Sequence, residues 1–233
     1  MRQLQLWNEL ILTPRASLEE ARELLEGLRD RGIVFGTDEA GRGALAGPVL
    51  AASVYLTGEQ ESKLLKMGLR DSKKLSARKR EKLVLAMQDM GVKYAVSSGS
   101  IERIEQDNIL VASLWTMGKS AKKLAAELGQ DPVCVIVDGT ERINRLKFPQ
   151  WTLIGADNLI PAVSAASVLA KVMRDQLMTR YAKKYPLYDF AQNKGYPTQA
   201  HMDMIAQAGM CPIHRPYFCQ KIIALNRGIN AID

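Results

Sequence analysis

Acidic side chains recur in this chain where apolar runs end. Asp38 and Glu39 follow the run Ile33-Val34-Phe35-Gly36-Thr37, Asp138 closes Val133-Cys134-Val135-Ile136-Val137, and Asp157 closes Trp151-Thr152-Leu153-Ile154-Gly155-Ala156. Ionised carboxylates at the end of apolar strands are costly unless they are paired or bound to a cation. Strand ends along one edge of an α/β sheet are where sites form. Four carboxylates from three strand ends make an oxygen-rich set suited to Mg²⁺ or Mn²⁺. Two such ions about 4 Å apart would suit phosphodiester cleavage, one activating water and the other stabilising the leaving oxygen. Each acid also has a plainer role as a cap or a solvated turn residue, and Asp138-Gly139 is a common turn pair. Asp38 and Glu39 side by side fit that plainer role less well. Adjacent strand residues face opposite ways, so both reach one ion only where the strand ends or bulges. Gly41 and Gly43 permit such a bend.

Positive charge lies in two places. Residues 70–82 hold seven Lys or Arg against two acids; they form a solvated helix face or a phosphate-contacting patch, with Lys73 and Lys74 nearest the loop. Farther on, Ser164, Ser167, Lys171 and Arg174 recur at helical spacing, a polar stripe opposite Val163, Ala166 and Ala170. A helix starting soon after Asp157 would run this stripe past the carboxylates, where hydroxyls and cations suit a nucleic-acid backbone. Tyr196, between Gly195 and Pro197, fits a stacking residue or a turn tyrosine equally well.

The elements that must position these groups are legible from periodicity and punctuation. Apolar runs at 33–36, 49–56, 92–99, 133–137 and 151–155 read as strands. Helices are expected from Ser17 to about 30, from Ser76 to Met90 before Gly91, over 108–128 before Gly129, from Pro161 to about Lys184, and from Thr198 to Gly209. The first three strands suit an antiparallel meander, and the unbroken 133–137 run suits a strand buried on both faces. The expected fold is α/β: a mixed sheet of about five strands flanked by helices, with a helical C-terminal region. Residues 1–32 read as a helical extension and 33–233 as one domain.

Composition sets the outer bounds. The chain has 233 residues, is 47% hydrophobic and 24% charged, and carries 32 Lys+Arg against 25 Asp+Glu, a net +7. This excludes long disorder and fibrous repeats, and makes a polyanionic partner plausible. No apolar run approaches the length of a membrane span. The segment MRQLQLWNEL has no signal-peptide pattern, and three cysteines without a CxxC encode neither a disulfide framework nor a zinc knuckle; a cytoplasmic protein is expected. The glycines of Gly41-Arg42-Gly43-Ala44-Leu45-Ala46 imitate a dinucleotide loop, but Pro48 and a β-type run follow instead of a helix. Gly118-Lys119-Ser120 imitates the end of a P-loop in mid-helix, and His201 and His214 have no metal-ligand spacing. From residue types alone, three readings stay open: a metal-dependent nuclease, a nucleic-acid-binding module whose acids serve structure, and a DNA nuclease of related fold.

Taken together, the segments resemble the bacterial type 2 ribonucleases H, the ribonuclease HII family, over roughly residues 33–218. The strongest block is Gly36-Thr37-Asp38-Glu39-Ala40-Gly41-Arg42-Gly43, followed by Leu45-Ala46-Gly47-Pro48-Val49. Supporting it are Asp71-Ser72-Lys73-Lys74-Leu75-Ser76, Val137-Asp138-Gly139, the run Ile160 to Val172 with Arg174-Asp175, Lys194-Gly195-Tyr196-Pro197-Thr198 and Pro212-Ile213-His214-Arg215. The resemblance implies a ribonuclease H-like fold and an endonuclease acting on the RNA strand of RNA–DNA hybrids and on single ribonucleotides in duplex DNA. It makes Asp38, Glu39, Asp138 and Asp157 catalytic, the first three as ligands of Mn²⁺ or Mg²⁺. It assigns Gly41, Arg42 and Gly43 to the ribose 2′-hydroxyl and Tyr196 to stacking on the following sugar. Lys73, Lys74, Ser164, Ser167 and Lys171 complete the expected substrate-binding set. A monomer without an obligatory protein partner or a membrane is expected. The chain departs from the family pattern at Ala44 (often proline), Leu159 (commonly basic), Thr140-Glu141 and Pro216-Tyr217.

Overall fold

The computed structural model describes residues 15–70, 72–220 and 222. The segment read for a signal peptide and the motif residue Asp71 lie outside these. Five strands form one sheet in the order β3-β2-β1-β4-β5: β1 Val34–Ala40, β2 Val49–Tyr55, β3 Lys93–Gly99, β4 Cys134–Asp138 and β5 Gln150–Leu153. β1–β2 and β2–β3 are antiparallel, as the expected meander has them although helices intervene before β3, whereas β1–β4 and β4–β5 are parallel. The order follows from the crossover: β4 arrives after two helices and pairs beside β1, which puts β1 in the centre. The family expectation of a ribonuclease H-like mixed sheet holds.

Helices cover both faces. α1 (Leu18–Arg29) starts at a Ser17–Glu20 capping box and buries Ala21, Leu25 and Leu28. α2 (Gly58–Lys66) and α3 (Ala77–Asp89) follow, then α4 (Ile101–Asp107) and α5 (Ile109–Leu128). A short α6 (Ala156–Leu159) leads into the long α7 (Pro161–Lys184), and α8 (Phe190–Asn193) and α9 (Gln199–Ala208) form the C-terminal part. α7 lies along one face of β1. The fit leaves no room for a side chain at Gly36, where a Cβ would stand 2.4 Å from the backbone of Ala162 and Val163. α5 covers the other face, packing Met117, Ala121 and Leu124 on Phe35, Val135 and Val137. The sheet core and the α8–α9 region bury separate apolar clusters, the latter around Leu45, Met178, Tyr188 and Phe190. Among the described residues no helix is long and apolar enough to cross a membrane.

Two expectations need adjustment. β1 does not end before the first acids: it pairs regularly with β2 through Asp38↔Ala52, Glu39↔Ala51 and Ala40↔Leu50. Asp157 does not close a strand, because β5 ends at Leu153 and a left-handed Gly155 turns the chain into α6. All three acids nevertheless lie at or beside the edge where β1 and β4 end.

Candidate active site

β1 and β4 run parallel, so their C-terminal ends open on the same edge of the sheet. Strand alternation puts Gly36 and Asp38 on the α7 face and Phe35 and Thr37 on the α5 face. Asp38 is buried, and its carboxylate meets Asp138 from the end of β4 and buried Asp157 from α6. One oxygen from each of the three lies within 4.8 Å of the others. Glu39 stands outside this group, consistent with its place in the alternate row. Its backbone N–H donates to Asp38 Oδ1 at 2.7 Å, and its carboxylate faces Arg42 Nη1 at 3.4 Å. Glu39 still borders the site, since its charge acts on both Asp38 and Asp138.

The electrostatics are those of crowded acids. Burial, then the charges of Glu39 and Asp138, hold Asp38 well above the usual carboxylate range, against a hydrogen bond from Ser167. Burial also raises Glu39, opposed chiefly by Arg42. Asp138 is raised by burial and by Glu39, while the N–H groups of Ala156 and Asp157 and the charge of Lys73 oppose the rise. Like charges gathered in a partly dry site cost energy unless something positive joins them. One atom marks where. Asp138 Oδ1 is buried with no hydrogen-bond partner, and a buried polar atom left so costs about 1–3 kcal/mol. An all-oxygen donor set with one unpartnered oxygen fits a hard divalent cation.

The supporting groups divide into those that hold the acids and those that border them. Ser164 is buried at the start of α7 and donates to the carbonyl of Asp157 at 2.7 Å. Ser167, also buried, hydrogen-bonds Ser72 at 2.8 Å and supports Asp38. Their hydroxyls are therefore occupied within the protein, where the stripe suggested contact with a nucleic-acid backbone. Arg174 departs further from that stripe. It is fully buried and donates to the carbonyls of Pro48, Ala46 and Lys194. Lys73 and Lys74 are exposed in a 3₁₀ turn beside the acids, with Lys73 Nζ 4.0 Å from Asp157 Oδ2 and Lys74 Nζ on Asn158 Oδ1. They place positive charge next to Leu159, which is half-buried against the core. Glu141 is exposed and accepts from Thr140.

Next to the acids, β1 turns into the Gly41-Arg42-Gly43 segment. Gly41 has φ +100°, and a Cβ there would stand 2.1 Å from Arg174 Nε; only glycine permits this approach. Arg42 and Gly43 are exposed. Half-buried Tyr196 lies beyond, with Lys171 Nζ 4.7 Å from its ring centroid. Lys171 also pairs with Asp175 at 2.8 Å. Ser72 and Asn158, absent from the sequence-based candidates, join the site through Ser167 and through a 2.9 Å bond to Asp157. Ser72 carried a signal, standing in the Asp71-to-Ser76 block; Asn158 carried only its place after Asp157.

The family model described as Ribonuclease HII matches residues 35–221. The chain belongs to the ribonuclease HII family. Ribonuclease HII of Synechocystis sp. is 43% identical over 188 residues, covering 81% of this chain and 97% of that protein. The crystal structure of ribonuclease H2 from Pyrococcus horikoshii OT3 superposes with a TM-score of 0.61 at 28% identity, covering 84% of this chain and 99% of that one. Bst-RNase HIII in complex with Mn²⁺ shares the fold, with a TM-score of 0.66 at 17% identity over 83% of this chain and 70% of that one. As a ribonuclease HII this chain is an enzyme, a ribonuclease H acting as an endonuclease on RNA–DNA hybrids.

Proposed function

We propose that this ribonuclease HII cuts the RNA strand of RNA–DNA hybrids and also duplex DNA 5′ to a single embedded ribonucleotide, leaving 3′-hydroxyl and 5′-phosphate ends. The observation that carries the reading is the convergence of Asp38, Asp138 and Asp157 beside the Gly41–Gly43 backbone, with Asp138 Oδ1 buried and unpartnered. Asp38 and Asp138 would hold Mn²⁺ or Mg²⁺ with Asp157 and with Glu39 at their border; this departs from the Asp38, Glu39 and Asp138 ligand set implied by the resemblance. The bound cation supplies charge neutralisation at the phosphate and a more acidic attacking water.

The chain's own groups do the rest. The backbone of Gly41, Arg42 and Gly43, exposed at the last two, approaches the ribose 2′-hydroxyl, the group that distinguishes RNA from DNA. Tyr196 stacks on the sugar that follows, so a deoxyribose there is favoured and an RNA-to-DNA junction is preferred. Lys73 and Lys74 contact phosphate and set register. Ser164 and Ser167 act from beneath, fixing Asp157 and Asp38. Of the N-terminal extension, the described helix α1 packs Ala21, Leu25 and Leu28 into the main core. We infer a cytoplasmic role in removing ribonucleotides from DNA, performed as a monomer without an obligatory protein partner.

The test is cleavage of a labelled DNA duplex containing one ribonucleotide, in Mn²⁺, Mg²⁺ and EDTA, beside an all-DNA duplex. A metal-dependent cut 5′ to the ribonucleotide with the all-DNA duplex intact is expected. Cleavage of the all-DNA duplex, or tight binding without a cut in either metal, would overturn the reading.

A further inference from the structure

Two loops carry the proposed recognition of the substrate, Gly41–Pro48 and Lys194–Tyr196, and they are far apart in sequence. Their direct contacts are few and centre on one residue: the N–H groups of Leu45 and Ala46 donate to the carbonyl of Gly195 at 2.8 and 3.3 Å. Arg174, on α7, joins the same two loops from below. Its Nε donates to Pro48 O at 3.1 Å and its Nη2 to Ala46 O at 2.9 Å. Its Nη1 donates to Lys194 O at 2.8 Å. The guanidinium carbon lies 5.1 Å from the Tyr196 ring centroid, and the same side chain touches Gly41.

Burying a guanidinium costs several kcal/mol unless its donors are satisfied, and burial pulls Arg174 below its usual range. A leucine or methionine would fill the space more cheaply. What an apolar residue cannot do is hold three carbonyls of two loops in one plane; the rigid fork of arginine does.

A second tether reaches the backbone of Tyr196 from α9 and the turn that follows it. The N–H of Cys211 donates to His214 Nδ1 at 2.9 Å. His214 must then carry its hydrogen on Nε2, which faces His201 Nε2 at 3.0 Å. His201 in turn carries its hydrogen on Nδ1 and donates to the carbonyl of Tyr196 at 2.9 Å. Both rings are neutral in this arrangement, and burial lowers both histidines. The chain of donors therefore has one direction and ends on Tyr196.

We propose that Arg174, assisted by His201, is a positioning residue that fixes the spacing between the 2′-hydroxyl-reading Gly41–Gly43 backbone and Tyr196, and so sets the preference for a ribonucleotide followed by DNA. The proposal rests on the junction reading given above. It assigns discrimination between substrates to groups that touch neither the substrate nor the carboxylates.

The test compares kcat/KM on a DNA duplex with one ribonucleotide and on an uninterrupted RNA–DNA hybrid, for the wild type, Arg174→Lys and His201→Phe. Lysine keeps the charge without the fork, and phenylalanine keeps ring volume without the bond to Tyr196. Each variant is expected to lose about tenfold or more of the junction preference while cleavage of the hybrid stays within about threefold, since an ångström of misplacement can cost up to about 10²-fold. Both substrates pass through the same carboxylates, so a merely structural defect lowers the two rates together. That parallel loss, or an unchanged preference, would overturn the proposal. Should Arg174→Lys fail to fold by thermal melt, His201→Phe decides the matter alone. A wild type without junction preference would refute the reading of Tyr196 itself and take this proposal with it.

Discussion

Asp38→Asn should make the metal-free protein more stable while destroying its activity. The substitution keeps the acceptor that receives the Glu39 N–H at 2.7 Å and removes one charge from a group whose oxygens lie within 4.8 Å. Two unit charges at that separation repel by about 0.9 kcal/mol in water and about 3.5 kcal/mol at the effective dielectric of a protein surface. Removing the charge is therefore worth about 1–3 kcal/mol. For a domain of this size that is a Tm rise of about 2–12 °C, read by calorimetry in EDTA. The pH dependence follows from the sign of the shift. Asp38 and Asp138 are raised, so the folded state binds more protons than the unfolded one above the ordinary carboxylate range. Metal-free wild-type stability should fall as pH rises through that window, and the variant should fall less. Adding Mn²⁺ should stabilise the wild type and affect the variant much less, and cleavage by the variant should drop by about 10²-fold or more. A variant that melts lower than wild type in EDTA would refute the claim that the acids are held together against their mutual repulsion.

Other perturbations address separate parts of the account. Tyr196→Ala should lower cleavage at a single ribonucleotide more than cleavage of a continuous hybrid; equal losses in parallel rate assays would remove Tyr196 from specificity. Replacing Lys73 and Lys74 together by Ala should weaken hybrid binding and reduce the slope of log K against log salt by about 0.9 per lost phosphate contact, measured by fluorescence anisotropy without divalent metal. An unchanged slope would place both lysines off the substrate path. The buried histidines predict acid sensitivity. His214 is lowered to about 4, so the unfolded state takes up its proton first, and stability present at neutral pH is lost as pH falls below about 6.5. The loss should reach about 3 kcal/mol near pH 4 at about 1.4 kcal/mol per unit. Urea melts of His214→Asn should show a shallower acid limb, and an identical limb would show that other groups control it.

Much of this architecture was legible in the sequence, because local rules sufficed. Ser17 and Ser76 cap α1 and α3, left-handed Gly129 ends α5, and Pro161 opens α7 as its sequence suggested. α2 escaped notice because Gly58–Lys66 buries only Leu64; its start depends on a Thr57–Gln60 capping box rather than on an apolar stripe. The four acids stood out by their place after apolar runs, and all four lie at or beside one edge. Which of them share a site was not legible. That depends on β1 continuing regularly past Asp38, which sends Glu39 to the other row, and on Gly155 turning Asp157 inward. Arg174 shows the limit most clearly. Its spacing put it in line with Ser167 and Lys171, but the carbonyls that enclose it come from residues 126 and 128 positions away. His201 and His214 likewise meet only because α9 and the following turn fold together around Tyr188 and Phe190.

The central claim is that Asp38, Asp138 and Asp157 form a cation site on which cleavage depends. Mn²⁺ binding can be followed by loss of the free-ion electron paramagnetic resonance signal, with cleavage of the one-ribonucleotide duplex measured on the same samples. Wild type should take up Mn²⁺ and cleave in step with occupancy, whereas Asp138→Ala, which removes the unpartnered Oδ1, should lose both. An Asp138→Ala protein that binds Mn²⁺ and cleaves like the wild type would contradict the account.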